Sequence, residues 1–151
     1  MRHRETVVLM NMCMIFNQNG EILVLNKKGK AWSGLTFPGG HIEPGESFIK
    51  STIREIKEET NLTIWNLKIC GTKQWTQDGI RYVVILYKTD AFAGELKSSS
   101  EGEVFWIKKE ELAKYELTPD FDRTINLFLE DKKTEHIYEL NENQEWEDFL
   151  L

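Results

Sequence analysis

Three glutamates on one predicted helix constrain this chain more than any other feature. The segment from Ser47 to Thr60 follows a Glu-Pro-Gly turn, and Ser47 is a suitable N-cap for a helix. Within it, Glu55, Glu58 and Glu59 stand at positions i, i+3 and i+4. Residues with this spacing share one side of a helix, so the three carboxylates are predicted to converge on a single stripe.

Such a stripe is electrostatically unfavourable. Its carboxylates repel one another, and they lie in the last turns of the helix, where the helix dipole disfavours anions. A divalent cation removes this conflict, because Mg²⁺ binds one or two carboxylates together with phosphate oxygens and water. Acidic stripes are more often merely solvated, so the stripe alone does not decide between the two interpretations.

Ile49, Ile53 and Ile56 form a neighbouring apolar stripe, with Thr52 at its margin, which is predicted to face the core.

The residues around the helix complete a longer pattern. Gly40, five residues, Glu46, seven residues and then the run Arg54-Glu55-Ile56-Lys57-Glu58-Glu59-Thr60-Asn61-Leu62 resemble the signature of the Nudix hydrolases. Asn61 stands where the family usually has glycine, and Asn tolerates the left-handed conformation at a helix end better than most residues. The resemblance implies a Nudix fold, an α/β fold with a mixed β-sheet sandwiched between α-helices. It also implies a single domain over residues 1–151.

The resemblance further implies a metal site at the carboxylate stripe. Glu55, Glu58 and Glu59 are expected to bind Mg²⁺ or Mn²⁺ as the cofactor, together with a backbone carbonyl of Gly39 or Gly40. Glu55 is also a candidate base for the attacking water, although family members differ over where that base lies.

Positioning residues and one further ligand are implied in the same way. Arg54 is expected to tie the loop carboxylate of Glu46 to the helix and so hold the ligands in place. One more metal-binding glutamate is expected in the polar loop before a predicted strand at 104–108. Glu101 and Glu103 are both candidates there, and Glu101 is preferred.

Four residues are candidates for contact with a nucleotide substrate. Lys27 begins a basic loop, residues 27–30, which is either a solvated connector or reaches the triphosphate. Phe37 either lines the nucleotide pocket or packs in the core, and His41 either touches phosphate or is merely exposed. In MutT-like members of the family, a polar side chain near the start of a late helix reads the base edge. That position falls near Asp120, Phe121 or Asp122, and Asp120 is preferred.

The remaining chain alternates β-rich runs with turns and short helices. Strands are predicted at 6–16, 21–26, 63–77, 80–92, 104–108 and 135–140, and helices at 47–60, 109–115 and 118–131, the last with Thr118 as N-cap and Pro119 as its first residue. The pair Asp78-Gly79 between two β-rich runs predicts a hairpin. Trp75 and Tyr82 beside it either belong to the core or stack on a base.

Composition limits the possible partners. The 151 residues suit a single domain, and the net charge of −6 argues against binding of nucleic acid polymers or anionic membranes. No apolar run reaches membrane-spanning length, and Cys13 and Cys70 suit free thiols, so a cytoplasmic location is expected. The chain is expected to be a monomer or a homodimer, with residues 149–151 packing on the sheet or serving a dimer contact.

Missing motifs narrow the expected substrate. The chain lacks the proline past the signature that marks many ADP-ribose hydrolases, the SQPWPFP-like run of the NADH branch and the arginine-rich upstream motif of the coenzyme A type. Its loop, TFPGGHIEPGES, resembles that of MutT-like nucleoside triphosphate diphosphatases. This resemblance implies hydrolysis of a (deoxy)nucleoside triphosphate such as 8-oxo-dGTP to the monophosphate and pyrophosphate. The alternatives are a dinucleoside polyphosphate or nucleotide-sugar hydrolase, and a non-catalytic nucleotide-sensing Nudix module.

Overall fold

Strands dominate the chain, and one long helix interrupts them. The computed structural model describes residues 3–29 and 31–151, so Lys30 of the predicted basic loop lies outside the described residues. In chain order, the strands are β1 (Thr6–Ile15), β2 (Glu21–Lys27), β3 (Gly34–Thr36), β4 (Thr63–Trp65), β5 (Lys68–Gln77), β6 (Ile80–Thr89), β7 (Ala91–Ala93), β8 (Gly102–Lys108), β9 (Glu135–Leu140) and β10 (Trp146–Leu150). The α-helices are α1 (Phe48–Thr60), α2 (Phe121–Thr124) and α3 (Asn126–Leu129), and a 3₁₀ helix spans Lys109–Lys114.

The strands form a mixed sheet, as predicted. Five of them are ordered β1-β6-β5-β9-β10. Strands β1 and β6 run parallel, as do β5 and β9, whereas β5/β6 and β9/β10 are antiparallel. A second, antiparallel sheet has the order β3-β2-β8, and β4 pairs with β7. The final strand β10 pairs with β9, so the C-terminal segment packs on the sheet.

Hydrophobic side chains fill both faces of the sheet because successive residues of a strand point to opposite sides. On β1, Cys13 and Ile15 belong to the core that contains Ile56 of α1. Met14 belongs to the opposite core, together with Phe128 of α3. Full burial of a side chain such as Ile56 stabilises the fold by roughly 1.5–3 kcal/mol. The sheet therefore lies between α1 and the short C-terminal helices, which confirms the predicted layers.

The two ends of α1 are fixed by the residues that the sequence indicated. Ser47 is the N-cap, and its hydroxyl accepts a hydrogen bond from the Lys50 backbone N–H at 3.2 Å. At the other end, Asn61 adopts a left-handed conformation with φ of 67°, and its N–H donates to the Lys57 carbonyl at 3.0 Å. Both predictions are confirmed, and the asparagine performs the helix-ending role that glycine usually has.

The buried face of α1 is rotated from the predicted one. Ile49 is 39% exposed, whereas Ser51 and Thr52 are fully buried beside Ile56. The hydroxyls of Ser51 and Thr52 each donate to the Phe48 carbonyl at 2.8 Å. Because these polar groups are satisfied within the helix, their small side chains can pack close to the sheet.

Two predicted strands are divided, and the hairpin is confirmed. The run 63–77 forms β4 and β5, because Asn66 has a positive φ of 54° and interrupts the extended backbone. The run 80–92 likewise forms β6 and β7. Asp78 and Gly79 have φ of 53° and 76°, the pattern of a two-residue type I′ hairpin turn.

The last predicted helix starts later than expected. The Thr118 N–H donates to the Leu35 carbonyl at 3.0 Å, so this segment is extended alongside β3 and Thr118 is not the N-cap. Pro119 precedes the helix, and Asp120 has a φ of 61°. The helical turns form two short helices, α2 and α3, and end at Leu129. No helix among residues 3–29 and 31–151 has the length and apolar character to span a membrane.

Candidate active site

Arg54 on α1 fastens the preceding loop to the helix. Its Nε and Nη2 atoms donate to the two carboxylate oxygens of Glu46 at 2.8 and 2.9 Å, and Nη2 also donates to the His41 carbonyl at 3.1 Å. Its Nη1 atom donates to Glu55 at 3.0 Å and to Glu58 at 3.3 Å. Because a two-pronged arginine–carboxylate contact fixes both distance and orientation, Arg54 positions the loop and two predicted ligands together.

The contact between Arg54 and Glu46 is a permanently charged one. Hydrogen bonds from Arg54 lower the pKa of Glu46 to about 2. The hydrogen bond to Glu46, followed by those to Glu55 and Glu58, raises the pKa of Arg54. Both groups therefore stay ionised near neutral pH, which suits the positioning role that the sequence implied.

Two glycines allow the loop to lie directly against β1 and α1. A Cβ atom at Gly40 would lie 2.3 Å from the Glu55 carboxylate carbon, and one at Gly39 would lie 2.1 Å from the Asn11 backbone oxygen. The Asn11 side chain is buried, accepts from the Gly40 N–H at 2.9 Å and donates to the Ser51 hydroxyl at 3.1 Å. Asn11 therefore joins β1, the loop and α1 at one point, a role that no motif indicated.

Glu59 is the most deeply buried of the three predicted carboxylate ligands, at 4% exposure. One of its oxygens accepts from the Gly39 N–H at 3.3 Å. The other, Oε2, is buried and has no hydrogen-bond partner among the described residues. Burial, followed by the negative charge of Glu55, raises the pKa of Glu59 to about 8. A buried carboxylate oxygen without a partner is unfavourable, and a cation beside it would remove that cost.

The other two predicted ligands are engaged by Arg54. The Glu55 side chain is 15% exposed, and that of Glu58 is 58% exposed. In the part of the chain that the structure describes, no three His, Cys, Asp or Glu side chains are gathered closely enough to hold an ion. The donor set nevertheless fits Mg²⁺ or Mn²⁺, because it consists of carboxylate oxygens and includes the unpartnered Oε2 of Glu59. Glu55 and Glu58 would hold such an ion together with Glu59, although both now accept hydrogen bonds from Arg54.

Two charged residues outside α1 affect the pKa of Glu59. The negative charge of Glu101 raises the pKa of Glu59, and the positive charge of Lys27 lowers it, after the larger effects of burial and Glu55. Lys27 ends β2, and Glu101 lies in the loop before β8; both are exposed. The role of Glu101 as an additional ligand stays a prediction. Glu103, the other candidate, is paired with β2 in the sheet.

The structure corrects the prediction that Phe37 lines the nucleotide pocket. Phe37 is 2% exposed and packs edge-on against Phe121 and Phe128, with ring centroids 4.9 Å from each. This arrangement buries three rings together, so the packing alternative holds. His41 is exposed, and its backbone pairs with Met10 and accepts from Arg54. A contact between the His41 side chain and phosphate stays a prediction.

An aromatic pocket opens on one face of the five-stranded sheet. Its volume is about 340 Å³, which lies in the range of small-molecule sites. Its lining residues are Trp32, Lys73, Trp75, Gln77, Pro119, Asp120, Tyr138 and Trp146. Lys73, Trp75 and Gln77 occupy alternate positions of β5, so they share one face of the strand. Trp75 stacks on Tyr82 with ring centroids 5.2 Å apart and packs against the core, and it also lines the pocket. Stacking of Trp75 on a base stays a prediction.

Asp120 lies in this pocket and is held by a tyrosine. The Tyr138 hydroxyl donates to Asp120 Oδ2 at 2.7 Å. Burial, followed by this hydrogen bond, raises the pKa of Tyr138, so the hydroxyl keeps its proton. Asp120 therefore presents an oriented, acceptor-rich carboxylate to the pocket.

A buried polar network stabilises the strands β9 and β10, which carry the pocket residues Tyr138 and Trp146. His136 is fully buried, with Nδ1 2.9 Å from the Thr124 hydroxyl and Nε2 2.8 Å from Asp148 Oδ2. Asp148 also accepts from Arg123. Burial lowers the pKa of His136, which favours the neutral imidazole. The network ties β9 and β10 to α2 and so fixes the strands that carry the pocket residues.

Comparison with known proteins identifies the family. A NUDIX domain model matches residues 9–128. The chain belongs to the Nudix family of hydrolases. The crystal structure of the MutT mutator protein from Bacillus halodurans superposes on it with a TM-score of 0.77 at 23% identity, covering 95% of this chain and 97% of that one. This likeness confirms the Nudix fold.

Two curated relatives of this Nudix protein carry different names. It is 26% identical to the mouse 8-oxo-dGDP phosphatase NUDT18 over 103 residues, which are 68% of this chain and 31% of the mouse protein. It is 30% identical to the ADP-ribose pyrophosphatase of Methanocaldococcus jannaschii over 92 residues, which are 59% of this chain and 54% of that protein. The chain thus matches about half or less of the length of these relatives.

Proposed function

We propose that this Nudix protein hydrolyses nucleoside diphosphate-linked compounds with Mg²⁺ or Mn²⁺. We infer further that its substrate is a (deoxy)nucleoside triphosphate such as 8-oxo-dGTP, which it cleaves to the monophosphate and pyrophosphate. The observation that carries the proposal is the buried, unpartnered Oε2 of Glu59 on the same helix as Glu55 and Glu58. An oxygen-donor site of this kind suits metal-assisted attack on phosphate.

The metal would be held by Glu55, Glu58 and Glu59, with the Gly40 carbonyl and Glu101 as further ligands. When bound, the ion would supply positive charge to the phosphates and acidity to water. The positive charge matters because the protein itself has a net charge of −6. The Arg54–Glu46 contact positions these residues on one side of the site, and the hydrogen bond from the Gly40 N–H to Asn11 does so on the other.

The chain's own residues account for the rest of the reaction. Water forms a new bond to the attacked phosphorus, and one of its protons passes to a glutamate. The bond from that phosphorus to the oxygen bridging the α- and β-phosphates breaks, and the bridging oxygen leaves with the other product. Glu55 is the first candidate for this base, because its carboxylate lies directly against the backbone of Gly40, whose carbonyl is a proposed metal ligand. Lys27 lies within electrostatic reach of Glu59, so it is suited to neutralising phosphate charge.

The aromatic pocket is the proposed site for the base. Trp32, Trp75 and Trp146 supply flat apolar surfaces against which a base can stack, and Asp120 supplies an acceptor for its edge. The name of the mouse relative supports an oxidised guanine nucleotide. The name of the archaeal relative supports ADP-ribose, which keeps dinucleoside polyphosphate, nucleotide-sugar and related hydrolysis as the second candidate.

A substrate panel with product identification tests this proposal. Purified protein with Mg²⁺ is offered 8-oxo-dGTP, dGTP, 8-oxo-dGDP, ADP-ribose and a dinucleoside polyphosphate, in ¹⁸O-labelled water to locate the attacked phosphorus. We expect triphosphates to be cleaved fastest, with pyrophosphate as the second product. A strong preference for ADP-ribose or a dinucleotide would overturn the substrate assignment.

Variants separate an enzyme from a nucleotide-sensing module. We expect Glu58→Gln to lose most of kcat while the fold is retained, because Glu58 is exposed and its removal leaves the core intact. Glu142→Gln, in an exposed turn, is the matched control and should behave as wild type. If neither wild type nor control hydrolyses any nucleotide but both bind one, the sensing module is the correct interpretation.

A further inference from the structure

Lys73 lines the aromatic pocket from β5, and in the described part of the chain its charge is paired with an aromatic ring rather than with a carboxylate. Its Nζ atom lies 5.6 Å from the centre of the Tyr138 ring. Among residues 3–29 and 31–151, only burial and the longer-range charges of Asp120 and Asp148 act on the pKa of this ammonium group, with no hydrogen bond contributing. An ammonium group has three donors, and a partly buried one without an acceptor is unfavourable. The attraction to the ring face compensates for only part of that cost.

The carboxylates nearest to Lys73 are committed elsewhere. Asp148 binds Arg123 and His136, and Asp120 accepts from Tyr138. Burial lowers the pKa of Lys73, while Asp120 and Asp148 oppose that effect through longer-range attraction. The pocket thus contains a hydrogen-bond donor, Lys73, and an acceptor, Asp120, that do not bond to each other. Such a pair suits a ligand that offers an acceptor to Lys73 and a donor to Asp120.

We propose that Lys73 is a specificity-determining residue that donates from Nζ to the exocyclic carbonyl oxygen of a 6-oxopurine base. This inference rests on the proposed function, because it takes the pocket as the base site. Guanine and 8-oxoguanine carry an acceptor at O6 beside N–H donors, which matches Lys73 next to Asp120. Adenine carries an amino group at the same position, so a donor would face a donor. A site with buried donors discriminates strongly against a ligand that leaves them unpaired.

The test compares bases in wild type and Lys73→Met. The kcat/KM values are measured for dGTP, for dATP and for the triphosphate of 2,6-diaminopurine, which differs from guanine at the 6-position and the adjacent N1. We expect wild type to prefer dGTP, and Lys73→Met to lose about 10- to 100-fold on dGTP while changing the other two by less than about threefold. Lys73→Arg keeps a donor and should restore most of the preference. Lys68→Met, an exposed lysine of the same strand, is the matched control.

Binding without hydrolysis keeps this test separate from the proposed function. Calorimetric titration of GMP and AMP is carried out in the presence of EDTA with the same variants and with Lys73→Gln as a second substitution. We expect a preference for GMP that disappears in Lys73→Met and Lys73→Gln. If triphosphates are hydrolysed but the preference is unchanged in both variants, the role of Lys73 is refuted and the function stands. If no triphosphate is hydrolysed but GMP binding depends on Lys73, the function fails and the base contact stands. Equal losses on all bases would show a structural lysine and refute the inference.

Discussion

Replacement of Asn11 by alanine tests whether one buried amide organises the active site. The Asn11 side chain is 3% exposed and accepts from the Gly40 N–H at 2.9 Å. Its amide also donates to the Ser51 hydroxyl at 3.1 Å, while that hydroxyl donates to the Phe48 carbonyl. In Asn11→Ala the Ser51 hydroxyl keeps one partner, but the Gly40 N–H loses the amide oxygen that holds the loop.

The expected cost follows from these contacts. Leaving one largely enclosed N–H unpaired costs about 1–3 kcal/mol, and a small cavity adds to it. We therefore expect Asn11→Ala to lower the free energy of unfolding by about 2–3 kcal/mol. For a domain of this size, that corresponds to a fall in Tm of about 5–10 °C. Because Gly40 lies against Glu55, displacement of the loop should also reduce kcat by about tenfold or more.

Urea unfolding measures the effect on stability, and steady-state hydrolysis of the substrate that the panel identifies measures the effect on kcat. Asn143→Ala, an exposed asparagine in the β9–β10 turn, is the matched control and should stay within about 0.5 kcal/mol of wild type. If Asn11→Ala and Asn143→Ala unfold at the same urea concentration, or if only stability falls and kcat is unchanged, Asn11 does not position the loop for catalysis.

Gly40, His136 and Arg54 offer three further tests. In Gly40→Ala, the new Cβ would lie 2.3 Å from the Glu55 carboxylate carbon, so the loop must move and kcat should fall by about a hundredfold. Gly29→Ala is the control, because a Cβ there meets no atom within 4 Å, and it should keep the kcat of wild type in the same assay. Burial lowers the pKa of His136 from its usual value of 6.5, so the unfolded chain takes up this proton first, and stability is lost as the pH falls below about 6.5. Urea unfolding across that range should show a weaker acid dependence for His136→Gln, and an identical dependence would refute the assignment. Arg54→Lys keeps the positive charge but loses the two parallel hydrogen bonds to Glu46, so kcat should fall by about 10- to 100-fold and the free energy of unfolding by about 1–2 kcal/mol. Unchanged hydrolysis would show that this paired contact is dispensable.

Local chemistry explains which parts of the fold could be predicted from the sequence. The caps of α1 at Ser47 and Asn61, and the hairpin at Asp78-Gly79, depend on residues only a few positions apart. The start of the last helix depends instead on the pairing of its preceding segment with β3, where Leu35 and Leu117 form a bridge. Propensity alone favours a helix from Thr118, and this long-range pairing overrides it.

The same distinction applies to the site. The contact between Glu46 and Arg54 was predictable, because the resemblance to the Nudix signature implies it. The contact between Asn11 and Gly40 joins residues 29 positions apart and belongs to no recognised pattern. In the pocket, alternation along β5 indicates that Lys73 and Gln77 share a face with Trp75, but only the parallel pairing of β5 with β9 brings Tyr138 beside them.

The separate contacts of the Arg54 nitrogens explain how the acidic stripe is stabilised without a bound cation. Two of its three nitrogens, Nε and Nη2, hold Glu46 and the His41 carbonyl, which belong to the loop and have no proposed role as ligands. Only Nη1 contacts Glu55 and Glu58. Because different nitrogens contact the loop and the two glutamates, a cation bound as proposed could replace Nη1 at Glu55 and Glu58 without releasing the loop. Arg54 thus offsets the repulsion of the carboxylate stripe and holds the loop through contacts that do not depend on the proposed metal ligands.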